Sequence, residues 1–338
     1  MIIKVFHHGS YVGEPSVEYK PGYKFVYDAA CADYDWLVVY DKMPKRDVGT
    51  FHGGYEPLAC PKEHTMLLTQ EPTSIKSYSR AYTRQFGHLL TNRPPRAENH
   101  QHYHLGRGYY KWFIDRTHKE CSEMVLPPKS KLISVVCSSK RMRHTLHDAR
   151  YRLTEALVAE IPEMEWYGHG VRGFDKKFEV LEPYKYHVTI ENHIEEHHWS
   201  EKLADAFLAE CLPFYAGDPI VDEVFPKESF IPIPIDDPKR AAEIVKAAIA
   251  SGEYEKRRDA IIEAKRLVLT KYNFWAQIIE LIESVADQPV TAVDKAKPVR
   301  IYERNALRKH SLSAILEDGW AHARQIVVQC AGFIHKQG

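Results

Sequence analysis

An excess of charge of either sign is what this sequence most plainly lacks. Its 46 Lys and Arg balance 46 Asp and Glu, so no global attraction to nucleic acid is expected. Paired cysteines are missing too. Cys31, Cys60, Cys121, Cys137, Cys211 and Cys330 form no CxxC and keep no regular spacing. That argues against a disulfide framework and for a reducing compartment. No run reaches the ~18–20 apolar residues of a membrane-spanning helix. The start, MIIKVFHHGSYVG, lacks the basic-then-apolar order of a signal peptide. The expected location is therefore the cytoplasm, free or at the periphery of an inner membrane.

Familiar catalytic signatures are also absent: no HExxH, GxSxG, P-loop or kinase motif occurs. Gly168-His169-Gly170 with Gly173 is too short and misplaced for a dinucleotide fingerprint. The histidine clusters His7-His8, His100/His102/His104 and His197-His198 show no metal-ligand spacing. Surface or cleft-lining histidines, and no metal or other cofactor, are expected.

What is present is most organised between Pro183 and Pro219. Tyr186, Val188 and Ile190 alternate with His187 and Thr189, which predicts a half-buried strand. A polar loop, His193 to His198, leads to Ser200 as N-cap and Glu201 in a first helical turn. Leu203, Ala204, Phe207, Leu208 and Cys211 share one helical face. Pro213 ends the helix, and Leu212 to Ala216 reads as the next buried strand. A polar loop between a strand end and a helix start is where α/β proteins hold anions.

The rest of the chain suits the same α/β class. Strands are predicted at Met1–Phe6, Trp36–Tyr40, Met66–Thr69 and His88–Thr91. Ile75, Tyr78, Tyr82 and Phe86 are helically spaced, and residues 92–128 read as irregular loops. Pro127-Pro128 is the linker candidate, followed by a strand at Leu132–Val136 and a helix at Asp148–Glu160. Further helices are predicted from Pro238 to Ala250 and, as one long element, from Glu253 to Val285. Three regions result: 1–128, 129–286, and a linker and helical tail, 287–338. The tail's helix, 311–335, would either pair with a second copy in a homodimer or pack back on the first domain.

Three places carry candidate chemistry. Lys202 beside Glu201 at a helix start suits a phosphate or diphosphate, with a solvated first turn as the alternative. Asn192, at a strand end, either orients a ligand or forms a turn. Ser138, Ser139, Lys140, Arg141, Arg143, His147 and Arg150 follow a strand and precede a helix, as a diphosphate clamp or a solvated basic loop. Glu71 closes the buried run Leu67-Leu68-Thr69-Gln70, where a carboxylate can serve as general base.

These residues resemble a known signature. Tyr184-Lys185-Tyr186 through Ile190-Glu191-Asn192, then Ser200-Glu201-Lys202-Leu203, Pro213 and Gly217, is similar to the donor-binding core of the α-1,3/1,4-fucosyltransferase family, glycosyltransferase family 10, in its bacterial form. Ser138 with its basic loop and Arg150-x-x-Leu153 resembles the upstream donor segment, and Glu71 the family's proposed base. The likeness is specific over about 130–235. It implies a GT-B fold, two Rossmann-like domains facing each other across a cleft: the first for the acceptor, the second for the nucleotide sugar. It implies an inverting hexosyltransferase (EC 2.4.1.-) moving fucose from GDP-fucose to a glycan hydroxyl, as in lipopolysaccharide or capsule, with no obligatory metal. Arg150 and Lys202 would neutralise the diphosphate, and Glu201 and Asn192 would hold the sugar and ribose. Glu71 would deprotonate the acceptor. His198 stands where bacterial members often place an aromatic, and the loop Ile194-Glu195-Glu196-His197 is unusually acidic. A same-fold transferase using another nucleotide sugar and a non-catalytic sugar-nucleotide-binding or scaffold protein are the other readings.

Overall fold

The computed structural model describes residues 1–7, 16–69, 71–95, 98, 100–106, 112–142 and 145–334, with backbone alone for 328–334. His8, Gln70 and Arg143, and the side chain of Cys330, lie outside the described residues. In chain order the strands are β1 (Ile2–Phe6), β2 (Ser16–Lys20), β3 (Tyr23–Val26), β4 (Trp36–Tyr40), β5 (Tyr55–Pro57), β6 (Thr65–Thr69), β7 (His88–Thr91), β8 (Tyr103–Leu105), β9 (Lys131–Val136), β10 (Met164–Tyr167), β11 (Tyr184–Ile190), β12 (Leu212–Ala216), β13 (Ile231–Pro232) and β14 (Arg300–Tyr302). The α-helices are α1 (Arg80–Thr83), α2 (His118–Glu123), α3 (His147–Glu160), α4 (Glu201–Leu208), α5 (Pro238–Ala250), α6 (Glu253–Lys256), α7 (Arg258–Thr270), α8 (Phe274–Ser284), α9 (Arg304–His310) and α10 (Leu312–Ile334).

The chain is mixed α/β and forms two units, one of Met1–Gly106 with Ile278–Ala331, the other centred on Arg107–Gln277. The division lies otherwise than at Pro127-Pro128. Trp112, Ile114, Cys121 and Met124 join the core of the second unit, and Phe113 N–H donates to Asp205 there. The tail is no separate region: β14 pairs antiparallel with β5, and Ile301 is buried among first-unit core residues.

Unit 1 has the strand order β2-β3-β1-β4-β6-β7-β8. All neighbours are parallel except β2 and β3. Unit 2 has the order β10-β9-β11-β12-β13 and is parallel throughout. Each therefore starts on an inner strand, winds to one side, then crosses to the other. That leaves a switch point between β1 and β4 in unit 1 and between β9 and β11 in unit 2. Ligands of doubly wound sheets bind beyond the strand C-termini at such a point. Each unit is the half-fold expected of a GT-B chain.

Alternation builds the layers of unit 2. Tyr186, Val188 and Ile190 of β11 and Leu212 and Phe214 of β12 pack with Leu153, Leu157 and Val245 of α3 and α5. Tyr215 and the α4 residues Leu203, Phe207 and Leu208 pack instead with Val268 of α7. Burying such a side chain contributes roughly 1.5–3 kcal/mol, so two covered faces make this sheet edge a rigid support.

Two helix expectations change. Ile75 to Phe86 is helical only at α1, because Tyr78 spends its phenol on Asp41 and Tyr82 accepts from Met43 N–H at 3.1 Å. The long helix from Glu253 breaks into α6, α7 and α8. Asn273 interrupts it, donating to the Leu269 carbonyl (2.9 Å) and accepting from Ala276 N–H (3.0 Å), as a capping side chain does. Residues 92–128, read as loops, contain β8 and α2, the latter closed by a Thr117–Glu120 capping box.

Candidate functional site

The switch point of unit 2 gathers the polar residues. β11 ends at Ile190, and Glu191 and Asn192 follow. Leu146 N–H, just before α3, donates to the Asn192 carbonyl at 3.1 Å. From the first turn of α3 the Arg150 guanidinium donates through Nη1 to Asn192 Oδ1. Arg150 is buried, and its Nε has no hydrogen-bond partner among the described residues. A buried cation with a spare donor costs free energy unless something accepts from it.

Beside this pair stands the start of α4. Ser200 Oγ accepts from Lys202 N–H at 3.3 Å, as the predicted N-cap, and from Lys202 Nζ at 3.1 Å. Lys202 Nζ also donates to Glu201 Oε1 at 2.8 Å. Its distance to Glu191 Oε2 is 3.6 Å, too long for a hydrogen bond, so one of three ammonium donors remains for a ligand. Burial pulls the Lys202 pKa down, but the Glu201 and Glu191 carboxylates outweigh it and leave the ammonium above its ordinary value. Burial pushes Glu201 up, yet Lys202 and Lys177 hold it below the usual carboxylate range. Lys202 is charged and so is Glu201.

Glu191 is the residue that spacing did not single out. Its carboxylate accepts from Ser200 N–H at 2.9 Å and from Ser200 Oγ at 2.6 Å, locking the β11 end to the α4 start. Burial raises its pKa. Gly217, part of the signature quoted above, has a steric reason to be glycine. A Cβ there would stand 2.6 Å from Glu191 Cγ and 2.2 Å from Tyr215 Oη, so only glycine lets the chain after β12 close over Glu191. Gly217→Ala should therefore raise the Kd of a bound nucleotide at least about tenfold, since displacing Glu191 disturbs a charged hydrogen-bond network; titration of the purified variant measures it. Gly217 also borders a cavity of about 520 Å³ walled by Ile194, Tyr215, Pro219, Phe230 and Ile233, with Asp218 at its edge.

Helix α4 is braced from behind. Asp205, one turn beyond Glu201, is fully buried, and Lys177 Nζ donates to its Oδ2 at 2.6 Å. Burial pushes Asp205 up to about 6 against the pull of Lys177. Neither residue was foreseen; the signal was an Asp amid the apolar residues of Leu203–Leu208.

Other expected members fare differently. Ser138 lies half-buried past β9, and among the described residues no hydrogen bond ties its hydroxyl to Arg150 or Lys202. In the basic loop Arg141 Nε bonds Asp148 Oδ1 at 2.9 Å and its guanidinium lies 4.8 Å over Tyr151, Lys140 is exposed, and Arg143 lies outside the described residues. The Gly168–Gly170 turn seats against Cys137 and Ser139, whose N–H donates to the His169 carbonyl at 2.9 Å. His198 is buried and packs edge-on to His193 at 5.6 Å. It presents no open ring face for stacking in this arrangement.

Burial, then neighbouring cations, holds His198 and His187 near about 3, while unperturbed histidine titrates at 6.5. Below pH 6.5 the unfolded chain takes up these two protons and the native chain does not, so stability falls as pH falls. Asp205 opposes this, binding a proton in the native state between about 6 and the ordinary 3.8. The net difference of one proton predicts a loss of about 1.4 kcal/mol per pH unit from pH ~6 to ~4 from these groups. Urea midpoints at pH 7 and 5 measure it, and His198→Phe should flatten the dependence.

In unit 1 Glu71 is exposed two residues beyond β6. It lies close enough to act electrostatically on Lys76 and Tyr78. Both partner Asp41, which follows β4 with φ 68°; Lys76 Nζ is 2.6 Å from Asp41 Oδ2. Arg93 lies 5.1 Å over the Tyr78 ring and pairs with Glu98 at 2.7 Å. These groups share the C-terminal edge of β4, β6 and β7, the edge at which parallel sheets bind ligands. At the opposite edge His88 Nδ1 and His104 Nε2 are 3.1 Å apart, with His102 packed on His88. Among the described residues no group of three or more His, Cys, Asp or Glu is arranged to hold a metal ion.

Residues 126–250 match the sequence model of glycosyltransferase family 10 (fucosyltransferase), C-terminal part. That span holds Ser138, Arg150, Asn192, His198, Glu201 and Lys202, but not Glu71. No curated protein matches the chain. Among solved structures it is similar to an α1,3-fucosyltransferase with GDP at 15% identity and TM-score 0.48, covering 86% of this chain and 91% of that one. A structure of α1,3-fucosyltransferase with GDP-fucose gives 15%, TM-score 0.45, and coverage of 81% and 83%. Sucrose-phosphate synthase from Thermosynechococcus elongatus gives 9%, TM-score 0.44, and 81% and 86%.

Proposed function

We propose that the chain is an inverting glycosyltransferase of the fucosyltransferase kind, taking fucose from GDP-fucose to a hydroxyl of a glycan acceptor. The observation that carries this is that Arg150 and Lys202, at two helix starts beside one switch point, lie close enough for their charges to act on each other, inside the span that matches family 10. Breaking a sugar–phosphate bond leaves negative charge on the departing diphosphate, and fixed cations and amide dipoles lower that barrier most. In the proposed step the acceptor oxygen attacks the anomeric carbon as the C–O bond to the β-phosphate breaks. GDP leaves with the electron pair, Lys202 and Arg150 take its charge, and Glu71 takes the acceptor proton. Glu201 and Asn192 hold sugar and ribose hydroxyls, and Glu191 keeps Ser200 and Lys202 in place. The acceptor is a saccharide of the lipopolysaccharide or capsule kind.

Thermal-shift screening of GDP, UDP, ADP and CMP tests the donor, because a bound nucleotide raises the melting temperature by mass action. GDP should give the largest shift. A larger shift with UDP or CMP would move the reading to another nucleotide sugar, and no shift with any would favour a non-catalytic protein. Glu71→Gln should lower kcat by at least about 10²-fold, the size of a general-base contribution, with GDP affinity unchanged. Lost GDP affinity with retained kcat would remove Glu71 as the base.

A further inference from the structure

The N-terminal edge of the unit 1 sheet carries a second cavity, of about 380 Å³, at the start of β7. Backbone dipoles favour anions at strand C-termini and helix starts, so a site at this edge must be made by side chains. Gly87 brings them together. A Cβ there would stand 2.6 Å from the Lys62 carbonyl oxygen and 2.8 Å from Glu63 Cα. Only glycine therefore seats the 3₁₀ turn Lys62–His64 against the start of β7. Buried His88 and half-buried His100 line the cavity beneath His102. His100 Nδ1 accepts from His102 N–H at 3.1 Å, and its Nε2 meets the Phe86 carbonyl at 3.2 Å, which requires the proton on Nε2. The His102 ring packs edge-on to His88 at 5.4 Å. Burial holds His88 near about 4 and lowers His100 too. These two rings stay uncharged and hold His102 in place.

Donors dominate the rest of the wall. Lys62, Arg84 and His102 come from three segments, and all three are exposed. Arg84 Nη1 is 3.8 Å from Glu317 Oε1, too long for a hydrogen bond. Among the described residues Lys62 forms no salt bridge and the His102 ring nitrogens make no hydrogen bond. The one acid in the wall, Glu63, is already engaged. Thr291 Oγ1 donates to its Oε1 at 2.8 Å, and Thr291 N–H to its Oε2 at 3.3 Å. Two cations and an imidazole around one hollow, with no carboxylate to spare, match a dianion with acceptors on several sides. A phosphomonoester has that chemistry. The volume lies at the small end of ligand sites, with room for one sugar ring beside the phosphate.

We infer that this cavity is a phosphomonoester site formed by Lys62, Arg84 and His102, distinct from the diphosphate site proposed in unit 2. The inference is independent of the donor proposed above. Calorimetric titration of the full chain with inorganic phosphate, glucose 6-phosphate and glucose tests it. Both phosphates should bind at millimolar concentration or below, and glucose should not. Tighter binding of glucose 6-phosphate would support a phosphorylated saccharide as the ligand, and equal binding would support free phosphate. The double substitution Lys62→Ala/Arg84→Ala should weaken phosphate binding at least about tenfold, the worth of a charge-assisted hydrogen bond. Both positions are exposed, so the variant should keep its melting temperature. His102→Ala, on another segment, should show the same loss. No binding of either phosphate by the wild type, or wild-type affinity in both variants, overturns the inference. So does phosphate binding that excess GDP abolishes, which would assign it to the diphosphate site.

Discussion

Lys202→Ala is expected to lower kcat/KM for a GDP-sugar by about 10²–10³, the range for removing one donor aimed at developing charge. The argument is local. Lys202 Nζ is fixed by Ser200 Oγ and Glu201, with the Glu191 carboxylate 3.6 Å away. It therefore needs little reordering when a diphosphate arrives, and its charge counts most as the leaving group forms. Lys202→Arg should not restore the rate, since a planar fork cannot take the place of a compact ammonium between these three partners. A rate unchanged by Lys202→Ala would remove it from the leaving-group site.

The second large effect falls on stability. Lys177→Met leaves Asp205 buried without its cation, and breaking such a pair typically costs about 3–5 kcal/mol. The loss should depend on pH with a definite sign. Asp205 is already pushed up to about 6 in the intact pair, and without Lys177 it rises further. Below that value the native state holds a proton that the unfolded state, at an ordinary 3.8, does not, so falling pH restores stability. Denaturant unfolding at pH 8 and pH 5 should show a larger deficit at pH 8. An apolar pair, Lys177→Met with Asp205→Leu, should recover much of it. Equal deficits at both pH values would mean that the pair matters only for packing.

Much of unit 2 was legible because its signals are local. Alternation over Tyr186–Ile190, Ser200 before an apolar helix, and Asp237 before Pro238 each act within one or two turns of chain. β11 and α5 stand where these placed them, and α4 starts at Glu201 as placed but ends at Leu208, short of Cys211 and Pro213. The donor candidates Arg150, Asn192, Glu201 and Lys202 were legible for the same reason, each lying at a strand end or helix start. Glu191 was not, because its partner Ser200 is nine residues away across a loop. Asp205 and Lys177, 28 residues apart, left no pattern at all. In unit 1 helical spacing from Ile75 to Phe86 misled, since tyrosines with phenol partners on other segments are held by those bonds and not by a helix. Arg141 misled similarly: a cation in a basic loop is free for a ligand only if no nearby carboxylate claims it, and Asp148 does.

The central claim is that Arg150 and Lys202 jointly hold a nucleoside diphosphate. Calorimetric titration with GDP, GMP and guanosine, on wild type and on Lys202→Ala and Arg150→Met, tests it most directly. The predicted result is tightest binding of GDP, weaker binding of GMP and weakest of guanosine, with each substitution weakening GDP at least about tenfold, the worth of a charge-assisted hydrogen bond, while leaving guanosine unchanged. Equal affinity of both variants and wild type for GDP would contradict the account.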